Sequence, residues 1–336
     1  AKEMEILIRQ DRTSYDSAEK RNVVLNNYVS QCVHNISGEQ ISVDISTLVQ
    51  NLRERADWYT GLIRTQEWVT DENGNGWFNG YYDNHGRPVE GKRDNHVRMM
   101  LTGQVFSVMG NVADDAQTAA IIKSADLYLY KKEVGGYRLN TDFKEEKFDL
   151  GRMFGFAYGE KENGAVFSHM AVMYSNALYQ RGFAKEGNKV LQALLDAAME
   201  FDNSKMYPGL PEYFDNQGRG LYAYLTGAAS WYMLTMITEV FGVKGECGDL
   251  KIAPALMPEQ YNQDGKAVLK MTFAGRNFEI IFYNKEKKEF DQLKIQKAAC
   301  DGKALEITAE RCTILSKREI QMLSVKETHK IEIELV

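Results

Sequence analysis

Gly151–Phe183, GRMFGFAYGEKENGAVFSHMAVMYSNALYQRGF, passes through a polar, glycine-rich turn, Gly159-Glu160-Lys161-Glu162-Asn163-Gly164, and then runs into an apolar helical pattern. Glycines at this density would be costly inside a helix, so the turn marks a boundary. The helix that follows carries Ser168 and His169 in its first turn. A shorter echo, Tyr224–Trp231 (YLTGAASW), sets Thr226 and Gly227 just before a second apolar helix. Helix N-termini present unpaired N–H groups and the positive end of the dipole, so two polar turns feeding two buried helix starts suit an anion or a sugar. The same spacing also describes an ordinary turn and N-cap, and a lone histidine on an apolar helix is more often a core residue.

Outward from this stretch the chain reads as helices in pairs. Periodic apolar positions predict helices over 23–33, 45–63, 96–109, 114–130, 165–181, 185–200 and 227–241. Between pairs lie long stretches of turn residues, at 71–91, 135–151 and 203–222. An α/α toroid has this pattern, with inner and outer helices alternating and loops at one mouth building the site, whereas helical bundles prefer short connections. Roughly seven helices make about half of a twelve-helix (α/α)6 barrel. From Gly245 the texture becomes β-branched and alternating, with candidate strands at 251–253, 267–273, 278–283, 292–297, 304–308, 312–315 and 330–336. The fold class is therefore mainly α with a C-terminal β domain: a partial (α/α)6 toroid over 1–244, then a small antiparallel β-sandwich over 245–336.

Composition narrows the function. A net charge of −6 without any Lys/Arg block argues against a nucleic-acid partner. Aromatics at 11%, including 18 Tyr, suit a cleft in which ring faces cover sugars, although most aromatics serve cores. Cys32, Cys247, Cys300 and Cys312 make no metal spacing. Asp71-x-Asn73-x-Asn75-Gly76 fits the first half of an EF-hand loop, but Tyr82 stands where the bidentate Glu belongs, so no metal is expected. Without a signal peptide or an apolar run long enough for a bilayer, a cytoplasmic location is expected and the Asn35-Ile36-Ser37 sequon has no role.

The residues carry a resemblance as well. LNNYVSQCVHNISGE, GWFNGYYDNHGRPVEG, VRMMLTGQVF, GGYRLNTDF, KENGAVFSHM, YPGLPEYF, GRGLYAYLTGAASW and FGVKG, spread over about Asn26 to Leu250, resemble the carbohydrate phosphorylases of glycoside hydrolase family 94. Within that family the chain looks most like β-1,2-oligoglucan phosphorylases and the phosphorylase-like end of cyclic β-1,2-glucan synthases. The resemblance implies inverting phosphorolysis of a β-glucan, with inorganic phosphate as co-substrate, no other cofactor, and α-glucose 1-phosphate as product. It also implies that His169, Thr226 and Gly227 bind phosphate around one anion-sized position, with Glu162 beside the sugar subsites. Tyr137, Arg138, Asn140, Glu212, Tyr213 and Arg219 are the candidate acceptor contacts at the barrel mouth.

One departure matters. The family's general acid sits in a Trp-Asn-Asp motif that this chain lacks, and its phosphate-binding arginines have no match here. Ala56-Asp57-Trp58 imitates the motif, but Tyr59-Thr60 follow and the segment is a regular amphipathic helix; Asp11 and Asp16 are weak substitutes. The chain therefore reads as the C-terminal part of a longer phosphorylase, completed by an N-terminal segment or second chain. In isolation it is expected to be inactive and to associate. Two other readings stay open: a glucan hydrolase using Glu160, Glu162 and Glu212, and a non-catalytic sugar-binding fragment acting with a partner.

Overall fold

The computed structural model describes residues 17–32, 40, 42–93, 95–144, 150–206, 209–223 and 227–336. The chain divides into two units, Ala1–Trp68 and Val69–Val336.

In the first unit the described helices are α1 (Ala18–Cys32) and α2 (Ile45–Gln66). Helix α2 starts where the Asp44 carboxylate accepts the Thr47 N–H at 2.8 Å, which satisfies one of the orphan donors of the first turn. The amphipathic spacing forms the expected helix, yet no residue of α2 is buried, and Ile45 and Leu52 on the apolar stripe are exposed. Asp57 is exposed on the same helix.

Strand β1 (Trp68–Thr70) lies at the boundary. Beyond it the second unit runs through β2 (Gly76–Phe78), β3 (Gly91–Arg93), β4 (His96–Arg98), α3 (Leu101–Met109), α4 (Asp115–Tyr128), β5 (Tyr130–Lys131) and β6 (Gly136–Tyr137). It continues through β7 (Val166–Phe167), α5 (Ser168–Gln180), α6 (Ala184–Met199), the single turn α7 (Phe201–Ser204), β8 (Tyr213–Phe214), β9 (Gly220–Leu221) and α8 (Gly227–Thr235). Helix α8 passes into a π-helix, Met236–Val240. Two helix starts differ from the sequence reading. His96–Arg98 pairs antiparallel with β3, and Asn95, at φ 62°, turns that hairpin in a left-handed conformation that asparagine tolerates. Val166–Phe167 pairs with β8, so α5 begins only at Ser168.

Helix α5 packs against α3, α6 and α8. Leu101, Val105 and Val108 of α3, Ala171, Val172, Tyr174 and Leu178 of α5, and Leu191 and Leu194 of α6 are buried. Trp77 and Phe78 of β2, which packs on α4, are also fully buried, and Trp77 and Tyr174 are the bulkiest buried side chains among the described residues. Helix α4 opens with a capping box between Asp114 and Gln117. Helices α3 and α5 have no such cap, since Met100 and Phe167 occupy their N-cap positions. Neighbouring loops take that role. Leu101 N–H donates to Leu139 O (2.8 Å), Thr141 N–H to Met99 O (3.0 Å), Leu139 N–H to Ala165 O (2.9 Å) and Ser168 N–H to Glu212 O (2.9 Å). The long loops between helix pairs thus form one hydrogen-bonded belt across the starts of α3 and α5, and carbonyls of that belt satisfy donors of the first turn.

The remainder forms two sheets. One has the order β10 (Val243–Glu246), β11 (Asp249–Ile252), β17 (Cys312–Leu315), β16 (Glu306–Ala309). The other has the order β12 (Lys266–Phe273), β13 (Arg276–Tyr283), β18 (Thr328–Leu335), β14 (Ile295–Cys300), β15 (Lys303–Ala304). Strand β14 touches β16 and β17. The expected purely antiparallel arrangement needs a correction, because β13 and β18 pair in parallel, with Phe278 opposite His329, Ile280 opposite Ile331 and Phe282 opposite Ile333. Parallel neighbours require a long crossover, which β14–β17 and the short helix α9 (Lys317–Met322) supply. The change from helix to sheet falls at Val243, and both portions lie within the unit Val69–Val336. No helix among the described residues is long and apolar enough to cross a membrane.

Candidate functional site

The polar turn is tightly built. Gly159 N–H donates to Asn163 O at 2.6 Å, Asn163 N–H donates to Glu160 O at 3.0 Å, and Lys161 between them has φ 47°. Gly164 leaves the turn at φ 76°, and a Cβ there would lie 2.1 Å from Cε2 of Tyr158, so both conformation and space demand glycine. The Asn140 amide accepts the Gly164 N–H at 2.7 Å and donates to Asn163 Oδ1 at 3.1 Å and Thr141 O at 3.0 Å. Arg138 donates from Nη1 to Gly164 O at 2.6 Å, with its guanidinium 5.3 Å from the centroid of the Tyr158 ring. Asn163 Nδ2 donates to Phe156 O at 2.7 Å.

From this turn the chain enters α5, and three polar atoms stand out along it. Glu162 Oε2, Ser168 Oγ and His169 Nε2 are all buried without a hydrogen-bond partner among the described residues. Buried polar atoms are nearly always paired, and the hydroxyls of Tyr174 and Tyr179, further along α5, are likewise without a hydrogen-bond partner among the described residues. Phe167, not Ser168, holds the N-cap position of α5. Burial holds the His169 imidazole below its ordinary value, which keeps it neutral and able to donate one N–H. Its ring lies 5.7 Å from that of Trp231 and packs directly on Gly227, the first residue of α8. Glu162 Oε1 lies 4.0 Å from Arg152 Nη2 across an exposed, weak pairing. Lys161 projects over the rings of Tyr222 (4.8 Å) and Phe156 (5.5 Å), giving the turn a cationic and aromatic rim.

The other residues singled out from the sequence separate into groups. Thr226 lies outside the described residues, as do Asp11, Asp16 and the Asn35 sequon. Glu212 adjoins α5 through its carbonyl, while its side chain is half-buried. Tyr213 is buried, and its hydroxyl donates to Glu160 Oε2 at 3.2 Å, which ties strand β8 to the turn. Arg219 is engaged locally, meeting Asp215 Oδ2 through Nε at 2.8 Å and Nη2 at 2.6 Å. Tyr137 lies in a different cluster: its buried ring is 5.0 Å from Tyr130 and 5.4 Å from Tyr174, and its hydroxyl donates to Asp126. Asp71, from the EF-hand-like stretch, turns inward on its own loop. Burial alone would raise its pKa, but bonds from Tyr128, Asn75 and Asn73 bring it to about 2.

Sequence reasoning placed Ser168 beside His169 without giving it a role, and missed Tyr158, Trp231 and Arg152. None of these three belongs to a spacing that marks a site, and their placement depends on the turn and on the packing of α5 against α8.

The family model for the catalytic domain of the glycosyl hydrolase 94 superfamily matches residues 37–242, more than half of the chain. The chain belongs to the glycosyl hydrolase 94 superfamily. Every residue of the turn and of the His169–Gly227 contact falls inside the matched region, whereas both large sheets lie after it. The chain is 23% identical over 266 residues to a solabiose phosphorylase of Paenibacillus borealis, a match covering 77% of this chain and 33% of that protein. It is 25% identical over 204 residues to a cellobionic acid phosphorylase of Neurospora crassa, covering 56% and 25% of the two. A 3-O-beta-D-glucopyranosyl-beta-D-glucuronide phosphorylase of Paenibacillus borealis is 23% identical over 193 residues, covering 54% and 24%. The chain thus spans a third or less of the length of these relatives.

Proposed function

We propose that this chain contributes the phosphate-binding and sugar-binding part of an inverting glycoside phosphorylase that cleaves β-1,2-oligoglucan and releases α-glucose 1-phosphate. The observation that carries the reading is the run of unpartnered buried polar atoms, Glu162 Oε2, Ser168 Oγ and His169 Nε2, the last belonging to the residue that packs on the start of α8. In this proposal His169, Thr226 and the Gly227 backbone hold phosphate at the two helix starts, and the neutral imidazole donates to it without competing for its proton. A phosphate oxygen attacks the anomeric carbon from the face opposite the glycosidic bond, that bond breaks, and a carboxylic acid protonates the departing oxygen. We assign that acid to no residue of this chain, whose sequence lacks the Trp-Asn-Asp motif. Glu162 and Glu212 face the sugar, and the row α3, α5, α8 with α4 and α6 is an arc of an (α/α)6 toroid whose mouth is the belt.

The acceptors in the relatives' names differ from one another, so the linkage rests on resemblance to the β-1,2 branch. Incubating the full protein with β-1,2-oligoglucan or cellobiose, with and without phosphate, tests the reading. Release of glucose 1-phosphate from β-1,2-oligoglucan, dependent on phosphate, is expected. Cleavage without phosphate would establish a hydrolase, binding without turnover would establish a sugar-binding module, and preference for cellobiose would overturn the linkage.

A further inference from the structure

Arg138 and Asn140 stand on either side of Leu139 in the loop after β6, and the side chains of both reach Gly164. Asn140 takes the Gly164 N–H and Arg138 takes its carbonyl, while Leu139 between them donates its N–H to Ala165 O. Asn140 has no exposed surface, and its amide already makes three bonds within the turn and its own segment. A side chain so committed has little left to offer a sugar.

We propose that Asn140 and Arg138 are positioning residues: they clamp Gly164 from both sides and thereby fix the carboxylate of Glu162, two residues earlier, toward the sugar without contacting it. This rests on the phosphorylase reading and departs from the expectation that both residues touch the acceptor. Glycine reaches φ 76° easily but reaches many other conformations as easily, so Gly164 alone would not hold the turn. The clamp selects one conformation. Downstream, the start of α5 has separate anchors in Ser168 N–H to Glu212 O and in the pairing of β7 with β8. Loosening the clamp should therefore move Glu162 and leave His169 in place.

The full protein carrying Asn140→Ala or Arg138→Ala tests this. Each variant is expected to raise the KM for oligoglucan about tenfold or more, with kcat and the KM for phosphate changed by less than about threefold. Added guanidinium should restore the Arg138→Ala protein and leave Asn140→Ala unaffected. Amide hydrogen exchange should show Gly164 losing protection in Asn140→Ala while α5 keeps its own. Parallel rises in both KM values, an unchanged oligoglucan KM, or retained Gly164 protection would each overturn the clamp. If the parent protein lacks phosphate-dependent turnover, the phosphorylase reading fails by itself. Oligoglucan affinity and Gly164 exchange then decide the clamp, weaker binding together with lost protection supporting it and any other result overturning it.

Discussion

Gly227 sits so close to His169 that a Cβ on it would lie 2.7 Å from both Cε1 and Nδ1 of the imidazole. The start of α8 and the first turn of α5 are thus in direct contact, and the histidine can keep its place only if residue 227 has no side chain. Gly227→Ala should push the ring aside. The expected outcome is a phosphate KM raised about tenfold or more in the full protein. An unchanged phosphate KM would show that the contact is packing alone.

His169 itself should matter to phosphate more than to sugar. Losing one ligand of a buried anion costs about 1.5–3 kcal/mol, or roughly tenfold to a hundredfold in affinity. His169→Ala should therefore raise the requirement for phosphate by that factor and the requirement for glucan by much less. The pH dependence has a definite sign. The folded-state value lies below the ordinary 6.5, so at acid pH the unfolded chain takes up the proton more readily than the folded one. The neutral, buried ring is tolerated above about 6.5, and stability is lost as pH falls below it. His169→Asn should make the acid side of a Tm-against-pH curve shallower. An unchanged curve would show that the ring is not held neutral.

How much of this could be read beforehand is clear from particular residues. The polar turn, the helices α4, α5 and α6 and the strands β12, β13, β17 and β18 announce themselves, because their hydrophobic periods are long or their turn residues dense, whereas β10 is absent from the expected strands and β15 and β16 read as one. The family follows from the same stretches. The starts of α3 and α5 do not announce themselves: Met100 and Phe167 carry no cap, since the donors there are met by Leu139 O and Glu212 O, far away in the sequence. The apolar stripe of α2 shows the opposite limit, for its spacing specifies a helix but not what covers its face. At the site, Arg138, Asn140 and Arg219 are polar residues in loops, which is also what a sugar contact looks like. Their bonds to Gly164, Asn163 and Asp215 appear only in three dimensions.

Glu90 offers a test of the belt. It is buried, with one carboxyl oxygen accepting Gly80 N–H at 2.8 Å and the other Met100 N–H at 2.7 Å, just ahead of α3. Burial pushes its pKa up to about 8, although both N–H donors pull the other way. A carboxyl whose folded value is raised contributes stability that is full below its unfolded value, about 4.5, and is lost as pH rises toward about 8. Glu90→Gln cannot ionise, so its urea midpoint should fall less over that window than the parent's. It should also start lower, because its amide nitrogen cannot accept a backbone N–H. Equal slopes in the two proteins would mean that Glu90 titrates normally.

His329 in β18 gives the last prediction, remote from the site. Its Nδ1 is 2.7 Å from Asp301 Oδ2 and its Nε2 is 2.8 Å from Ser324 O. Both partners are acceptors, so both ring nitrogens must carry protons, and the ring is satisfied only as the imidazolium. The bond to Ser324 O raises its pKa most, burial opposes the rise, and Asp301 adds to it. Asp301 is correspondingly held below the usual carboxylate range: burial alone would raise it, but the Lys330 N–H and His329 bring it down. A histidine with a raised folded value contributes stability that is full below about 6.5 and is lost as pH climbs through the folded value. The Tm of the parent protein should therefore drop between about pH 6.5 and the alkaline side, and His329→Gln should flatten that drop while lowering Tm at acid pH. Because Phe278 stands opposite His329 in the parallel β13–β18 pair, amide exchange in those two strands should rise over the same pH range. A parent Tm that is flat across neutrality, or a His329→Gln protein with the same slope, would show that the ring stays neutral and that one of its two contacts is not a hydrogen bond.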